Sequence, residues 1–261
     1  MPSATSADGT LIAYHRYGEG PPVIIVNGAF STAADAEPIA DAFASAGLGA
    51  VTYDRRARHD SGDTRPYAPE REAEDLAAVI EAVGGAAAVL GHSSGAVVAW
   101  VAASVGVPVT RLFLSEPPLH FGQDEPAEDL PERLQAFVDE ARPEQAVVTF
   151  QREGIGLPEQ LIEQLRNTPM FAGLLPLAQS TVYDATLTRA VSTPTAQMRA
   201  VGVPVTVLCG VETFPFLIAA SRRVAESIPG AELIEVPESV GHRVDPEATV
   251  RLVADRLRTP A

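Results

Sequence analysis

The chain has 261 residues, 46% of them hydrophobic, with a net charge of −15 at pH 7 and no lysine among its 19 cationic residues. So acidic a chain is a poor partner for nucleic acid or an anionic membrane surface. Without lysine it can form no pyridoxal phosphate Schiff base and has no P-loop lysine, and with Cys209 as its one cysteine it can form no internal disulfide.

The first ten residues are polar and lack a charged start followed by an apolar run. No window approaches the ~18 consecutive apolar residues of a membrane span, so a cytoplasmic location is expected. Thr10–Arg16 alternates as a strand after the Asp8-Gly9 turn, and Val23–Val26 is an all-apolar run suited to a strand covered on both faces. Ser31 or Thr32 can cap a helix reaching about Ala46. Gly49–Tyr53 reads as the next strand, followed by a charged loop and a helix that starts at Pro69.

Ala86–Leu90 is a short apolar run that reads as a buried strand. Gly91-His92-Ser93-Ser94-Gly95 follows, and then a small and apolar run, Ala96–Val105, reads as a helix buried on most faces. Strand, G-x-S-x-G, helix is the setting of a nucleophile elbow, in which a sharp turn lifts the serine hydroxyl above the sheet. Arg111–Ser115 is the next strand, closed by Glu116-Pro117-Pro118.

The strand pattern then stops until about Ala200. Leu130–Ala141, Pro143–Glu153, Pro158–Asn167 and Met170–Ala185 read as helices punctuated by prolines. Strands resume at Val203–Leu208 and Leu233–Val236, with a helix over Phe216–Ile228 between them and a last helix over Pro246–Arg258. Strands alternating with helices predict an α/β fold with a mainly parallel sheet covered on both faces. The expected layout is a core over residues 1–116 and 201–261, interrupted by a helical cap over 117–200. Asn27, Asp54, Ser93 and Glu116 each follow a strand, and chemistry in such sheets gathers at the carboxyl ends of strands.

These motifs, VIIVNGAF, YDRRARHDSGDT, GHSSG, LSEPP and VGHRVDPEA, resemble those of the α/β-hydrolase superfamily over nearly the whole chain. The resemblance implies the α/β-hydrolase fold with a helical cap, and Ser93 as a catalytic nucleophile. His242, late in the chain ahead of the last helix, is the expected base, while His92 occupies an elbow position that transfers no proton. His15 is expected to be structural, and His59 and His120 are loop residues that could face a pocket. The oxyanion hole is expected to use the backbone N–H groups of Ala29 and Ser94. Asn27 stands where relatives usually have a histidine that braces this loop.

The third member of a triad is less evident. Many relatives carry an aspartate three residues after the glycine that here is Gly210, and that position is Thr213. Glu116 is the preferred alternative, because some branches place the acid after that strand. Glu212, or no carboxylate at all, stays open. Asp54, Arg55 and Arg56 are expected to form a structural charge cluster.

A serine hydrolase acting on an ester, lactone or thioester of a small, mostly apolar substrate is the implied function, with an acyl-enzyme on Ser93. Serine at this position argues against the aspartate-nucleophile chemistries of the superfamily, but leaves perhydrolysis open. Apolar cap residues Leu119, Phe121, Phe137, Phe150, Met170, Phe171, Leu174, Leu175 and Tyr183 are candidates to wall the pocket. Thr213 and Asn27 motivate a second class: a pocket kept for cyclisation, isomerisation or small-molecule binding. No cofactor is implied, no metal-ligand spacing is present, and the sequence leaves the oligomeric state open.

Overall fold

In the computed structural model, which describes residues 1–258, the apolar runs lie side by side in one sheet. Its strands are β1 (Ser3–Thr5), β2 (Leu11–Tyr17), β3 (Pro22–Val26), β4 (Gly49–Tyr53), β5 (Ala87–His92), β6 (Val109–Ser115), β7 (Val205–Glu212) and β8 (Glu232–Val240). They are ordered β1-β2-β4-β3-β5-β6-β7-β8. The β1/β2 and β2/β4 pairs are antiparallel, and the remaining pairs are parallel. This is the α/β-hydrolase architecture expected above. β1 is a short, polar edge strand with no signal in the sequence pattern. At the other edge, β8 turns Glu232, Glu235 and Glu238 to solvent, which discourages pairing with another chain.

The helices are α1 (Glu37–Ser45), α2 (Pro69–Val83), α3 (Ser94–Ser104), α4 (Leu130–Asp139), α5 (Pro143–Thr149), α6 (Glu159–Arg166), α7 (Pro169–Leu174), α8 (Ala178–Val191), α9 (Ala196–Arg199), α10 (Pro215–Ser227) and α11 (Pro246–Arg258). Phe43 of α1 and Val253 of α11 pack with Val23, Ile25 and Leu90 on one face of the sheet. Leu76 of α2, Trp100 of α3 and Val224 of α10 pack with Ile24, Val26 and Val89 on the other. Full burial of each such aliphatic side chain contributes about 1.5–3 kcal/mol.

α3 has no polar face because it needs none. Every residue from Ser94 to Ala102 is buried, between the sheet, α2 and α8. Trp100 Nε1–H, which would otherwise be an orphaned donor, reaches the Met198 carbonyl at 2.7 Å.

Three expected helices differ in the structure. The helix after Thr32 opens with a 3-10 turn over Ala33–Ala36, and α1 begins only at Glu37, with Pro38 in its first turn. The stretch expected as one helix over Met170–Ala185 is broken by a 3-10 turn at Leu175–Leu177. Pro176 has no N–H to continue the ladder there, and α8 then runs on to Val191. The helix expected over Pro143–Glu153 ends in a π turn, Phe150–Gly154. Residues 259–261, the end of the expected second core segment, lie outside the described residues.

Helices α4 to α9 form the segment between β6 and β7. α8 packs against α4 and α5 within that segment and against α2 and α3 of the core, so it is the bridge between them.

Candidate active site

Parallel register puts the ends of β5 and β6 at one level, beside Leu208 of β7. His92 lies opposite Ser115, and Ser115 opposite Leu208. The next residue on each of the first two strands is Ser93 and Glu116. Ser93 N–H donates to Ser115 O at 2.8 Å, and Glu116 N–H to Leu208 O at 3.0 Å. His242 arrives two residues past β8. All three residues have left-handed backbones, with φ of +54° at Ser93, +47° at Glu116 and +62° at His242. Such conformations cost a non-glycine residue about 1–3 kcal/mol and persist where surrounding contacts hold them.

The elbow turn depends on close backbone approach. A Cβ on Gly95 would strike the Val26 and Asn27 carbonyls, and one on Gly28 would lie 2.8 Å from Ser93 Cβ. The loop after β3 is thereby laid directly against Ser93. Asn27 braces that loop: its Nδ2 donates to the Thr32 carbonyl at 2.6 Å. Ala29 and Ser94 both line the cavity that contains Ser93 and His242. Ser94 is the first residue of α3, where backbone N–H groups lack intrahelical partners.

Glu116 is 2% exposed. Its Oε1 accepts the Gly210 N–H at 2.9 Å. Its Oε2 accepts the Thr213 hydroxyl at 3.0 Å and the His242 Nδ1–H. Burial works to raise the Glu116 pKa, but these donors and the His242 charge outweigh it and hold the carboxyl below the usual glutamate value. With Nδ1 engaged, Nε2 is the His242 nitrogen left for the cavity. Glu212 is exposed and does not line the cavity.

His92 Nδ1 lies 3.2 Å from Ser115 Oγ, and its ring lies 4.6 Å from that of His242. Burial, reinforced by the His242 charge, pushes its pKa down to about 3, so it is neutral at pH 7. His120 lines the cavity and stacks on Phe216 with ring centroids 5.2 Å apart. His59 stands on the surface, its side chain 64% exposed and 2.9 Å from the Asp60 carboxylate. His15 is partly buried within β2.

The loop after β4 carries Arg55, Arg56 and Arg58, each no more than 2% exposed. Arg55 forks onto Glu72 at 2.5 and 2.7 Å, and Arg56 onto Asp75 at 2.7 Å through both nitrogens. Both acids come from α2. Arg58 pairs instead with Asp184 of α8 at 2.8 Å. Neither Arg58 nor Asp184 stood out in the sequence, because a lone arginine in a charged loop looks like a solvated one. Asp54, His59 and Asp60 bring potential metal-ligand atoms within 4.8 Å of one another, the one such group among the described residues. The Asp54 carboxylate is already engaged, by Ala33 N–H at 2.7 Å and Asp60 N–H at 3.3 Å.

The cavity is about 240 Å³. Of the nine apolar residues proposed to wall it, Phe150 alone does so. Leu119, Phe171 and Tyr183 are buried in the packing clusters, and Met170 is 59% exposed. The other large apolar walls are Ile155 and, from the segment after β7, Phe214, Phe216 and Leu217. The sequence pattern reads Phe216 and Leu217 as the start of a helix and leaves Phe214 before it, with nothing to mark these residues as a pocket wall. Among the described residues, no helix is long and apolar enough to cross a membrane.

Comparison with known proteins places this geometry in context. A family model described as the alpha/beta hydrolase family matches residues 23–255. An alpha/beta hydrolase from Sphaerobacter thermophilus is 38% identical, with 98% of this chain and 100% of that one covered, at a TM-score of 0.90. A hydrolase from Pseudomonas aeruginosa is 22% identical over 99% and 98% of the two chains, at a TM-score of 0.74. The enol-lactonase from Burkholderia xenovorans is 18% identical over 99% and 100%, at 0.70. The last two likenesses show a shared fold. No curated protein sequence matches the chain.

Proposed function

The chain belongs to the alpha/beta hydrolase family, and from that premise we propose that it is a serine hydrolase. It cleaves an ester, lactone or thioester bond of a small, mostly apolar substrate through an acyl-enzyme on Ser93. One observation carries this reading: Ser93 and His242 share one cavity, and His242 Nδ1–H is held by the buried carboxylate of Glu116.

His242 Nε2 takes the Ser93 proton as Oγ attacks the carbonyl carbon. Glu116 fixes the tautomer that leaves Nε2 free and stabilises the imidazolium that forms. The N–H groups of Ala29 and Ser94 receive the oxyanion. The proton on Nε2 passes to the departing alcohol or thiol. His242 then removes a proton from water as the water oxygen attacks the acyl-enzyme, and returns that proton to Ser93 Oγ as the acid departs. A cavity of about 240 Å³ walled by Phe150, Ile155 and Phe214 favours short acyl groups. A cytoplasmic location and a small-molecule partner belong to the same reading.

Two features that favoured a non-hydrolytic pocket have counterparts here. Glu116 supplies the carboxylate that Thr213 lacks, and Asn27 braces its loop as the usual histidine would. Hydrolysis of p-nitrophenyl esters of rising chain length, with Ser93→Ala beside the parent, tests the proposal. Turnover that falls with chain length and vanishes in Ser93→Ala is expected. A parent as inert as Ser93→Ala on every ester, and not labelled by a fluorophosphonate, would overturn it.

A further inference from the structure

We infer that Arg58 and Asp184 are positioning residues that orient the Ala29 N–H of the oxyanion hole and make its geometry depend on α8. The inference rests on the hydrolytic reading above. Arg58 links the loop after β3 to α8. Its Nη1 donates to the Gly28 carbonyl at 2.5 Å and to the Ser31 carbonyl at 3.0 Å. Its Nη2 donates to Asp184 Oδ2 at 2.8 Å. Arg58 and Asp184 are each 1% exposed, and Asp184 lies on α8 at the cavity wall.

Peptide geometry turns this contact into a directional one. The Gly28 carbonyl and the Ala29 N–H belong to one planar trans peptide, so they point in opposite directions. Anchoring the carbonyl on Arg58 aims the N–H the other way. Gly28 itself is pressed against Ser93, since an added Cβ would lie 2.8 Å from Ser93 Cβ and 3.4 Å from Oγ. The Ala29 N–H is thus set relative to the attacking oxygen. Glycine at 28 makes the anchor necessary. Its broad conformational freedom lets the peptide rotate, and a flipped peptide would present a carbonyl where a donor is required.

The second donor is tied to the same cluster. Arg55 Nη1 donates to Ser94 Oγ at 3.0 Å, reaches the Asn27 carbonyl at 3.3 Å and lies 3.0 Å from Asp184 Oδ1. Asp184 therefore touches the arginines behind both halves of the hole. A simple latch between α8 and the core would need only the ion pair, without Arg58 spending its other amino group on loop carbonyls.

The test compares Asp184→Asn, Arg58→Lys and the double variant with the parent at 25 °C. Asp75→Asn, which breaks an equally buried pair of the same loop away from Gly28, is the comparison. Each protein is checked for folding by circular dichroism, then assayed for kcat and KM on p-nitrophenyl butyrate. Inhibition by an alkyl trifluoromethyl ketone, whose serine adduct carries the oxyanion, is measured alongside. Asp184→Asn and Arg58→Lys are expected to lower kcat about 10- to 100-fold, with KM within about threefold. The ketone should weaken by the same factor, and the double variant should fall no more than about threefold below the worse single one. Asp75→Asn should keep kcat within about threefold.

If the loss falls on KM while kcat and the ketone are unchanged, or if the double variant loses the product of the two single effects, the inference is overturned. Should Asp184→Asn fail to fold, Arg58→Lys decides the matter alone. An active parent whose variants match it rejects this inference only. A parent inert on esters and blind to the ketone rejects the hydrolytic reading and this inference together.

Discussion

Thr213 donates its hydroxyl to Glu116 Oε2 at 3.0 Å, and the same oxygen accepts the His242 Nδ1–H. The residue standing where relatives commonly place an acid thus supports an acid that comes from the neighbouring strand end. Glu116→Gln is expected to lower kcat about 10³- to 10⁴-fold with little change in KM, because the amide no longer stabilises the imidazolium. Glu212→Gln should leave both constants within about twofold, as an exposed side chain outside the cavity. Adding Thr213→Asp to Glu116→Ser should recover at least about tenfold over Glu116→Ser, since a carboxylate at 213 starts within hydrogen-bond range of the lost oxygen's position. Ester kinetics on the four proteins decides it.

Gly28→Ala tests the close approach of the loop after β3. The new methyl would lie 2.8 Å from Ser93 Cβ, so either the loop or the elbow must move. A shift of that size at the reacting groups is expected to cost about 10²-fold in kcat. Fluorophosphonate labelling at Ser93 should slow in parallel, while circular dichroism stays that of the parent.

His92 makes stability depend on pH. Its folded pKa is pushed down to about 3 from an ordinary 6.5, so between those limits the unfolded chain binds a proton that the folded chain does not. Stability is therefore full above pH 6.5 and is lost as pH falls toward 3, at no more than about 1.4 kcal/mol per pH unit from this group. Glu116, held below the usual 4.5, adds a second loss that begins lower, as pH falls below that value. Urea unfolding followed by the fluorescence of Trp100, the one tryptophan, measures this. His92→Asn should remove the His92 loss over the whole span from pH 6.5 to about 3 and keep the Glu116 loss that begins below pH 4.5.

The Arg56–Asp75 pair should matter for stability and not for chemistry. Both side chains are 1% exposed and joined by two hydrogen bonds of 2.7 Å. Asp75→Asn removes one of the two carboxylates on the buried Arg56 guanidinium, leaving Asp8 at 3.0 Å as its remaining countercharge, at a cost of about 3 kcal/mol. A drop in Tm of roughly 10 °C follows for a chain of this size. Thermal unfolding beside ester kinetics checks that the first quantity moves and kcat does not.

Much of the architecture was legible along the chain. Gly49–Tyr53, the start of α2 at Pro69, and the strand–GHSSG–helix unit all appear where the pattern puts them. These are local codes: apolar runs bounded by turn residues, proline in a first helical turn, and small residues where backbones nearly touch. Pro176 shows the limit, since the apolar spacing continued across it while the backbone could not.

What tertiary structure decided were the meetings between distant residues. Glu116 and Glu212 both sit near strand ends, and nothing local distinguishes them. The register of β6 on β7 buries Glu116 behind His242 and leaves Glu212 in solvent. The cavity wall came from Phe214 and Phe216 rather than from most of the aromatic residues between β6 and β7, because those residues pack α4, α5 and α8 together. Arg58 and Asp184, 126 positions apart, meet only because α8 packs back onto α2 and α3 of the core. A short-range pattern specifies which residues turn inward; which of them touch depends on how the layers stack, and that is written in no single stretch of the chain.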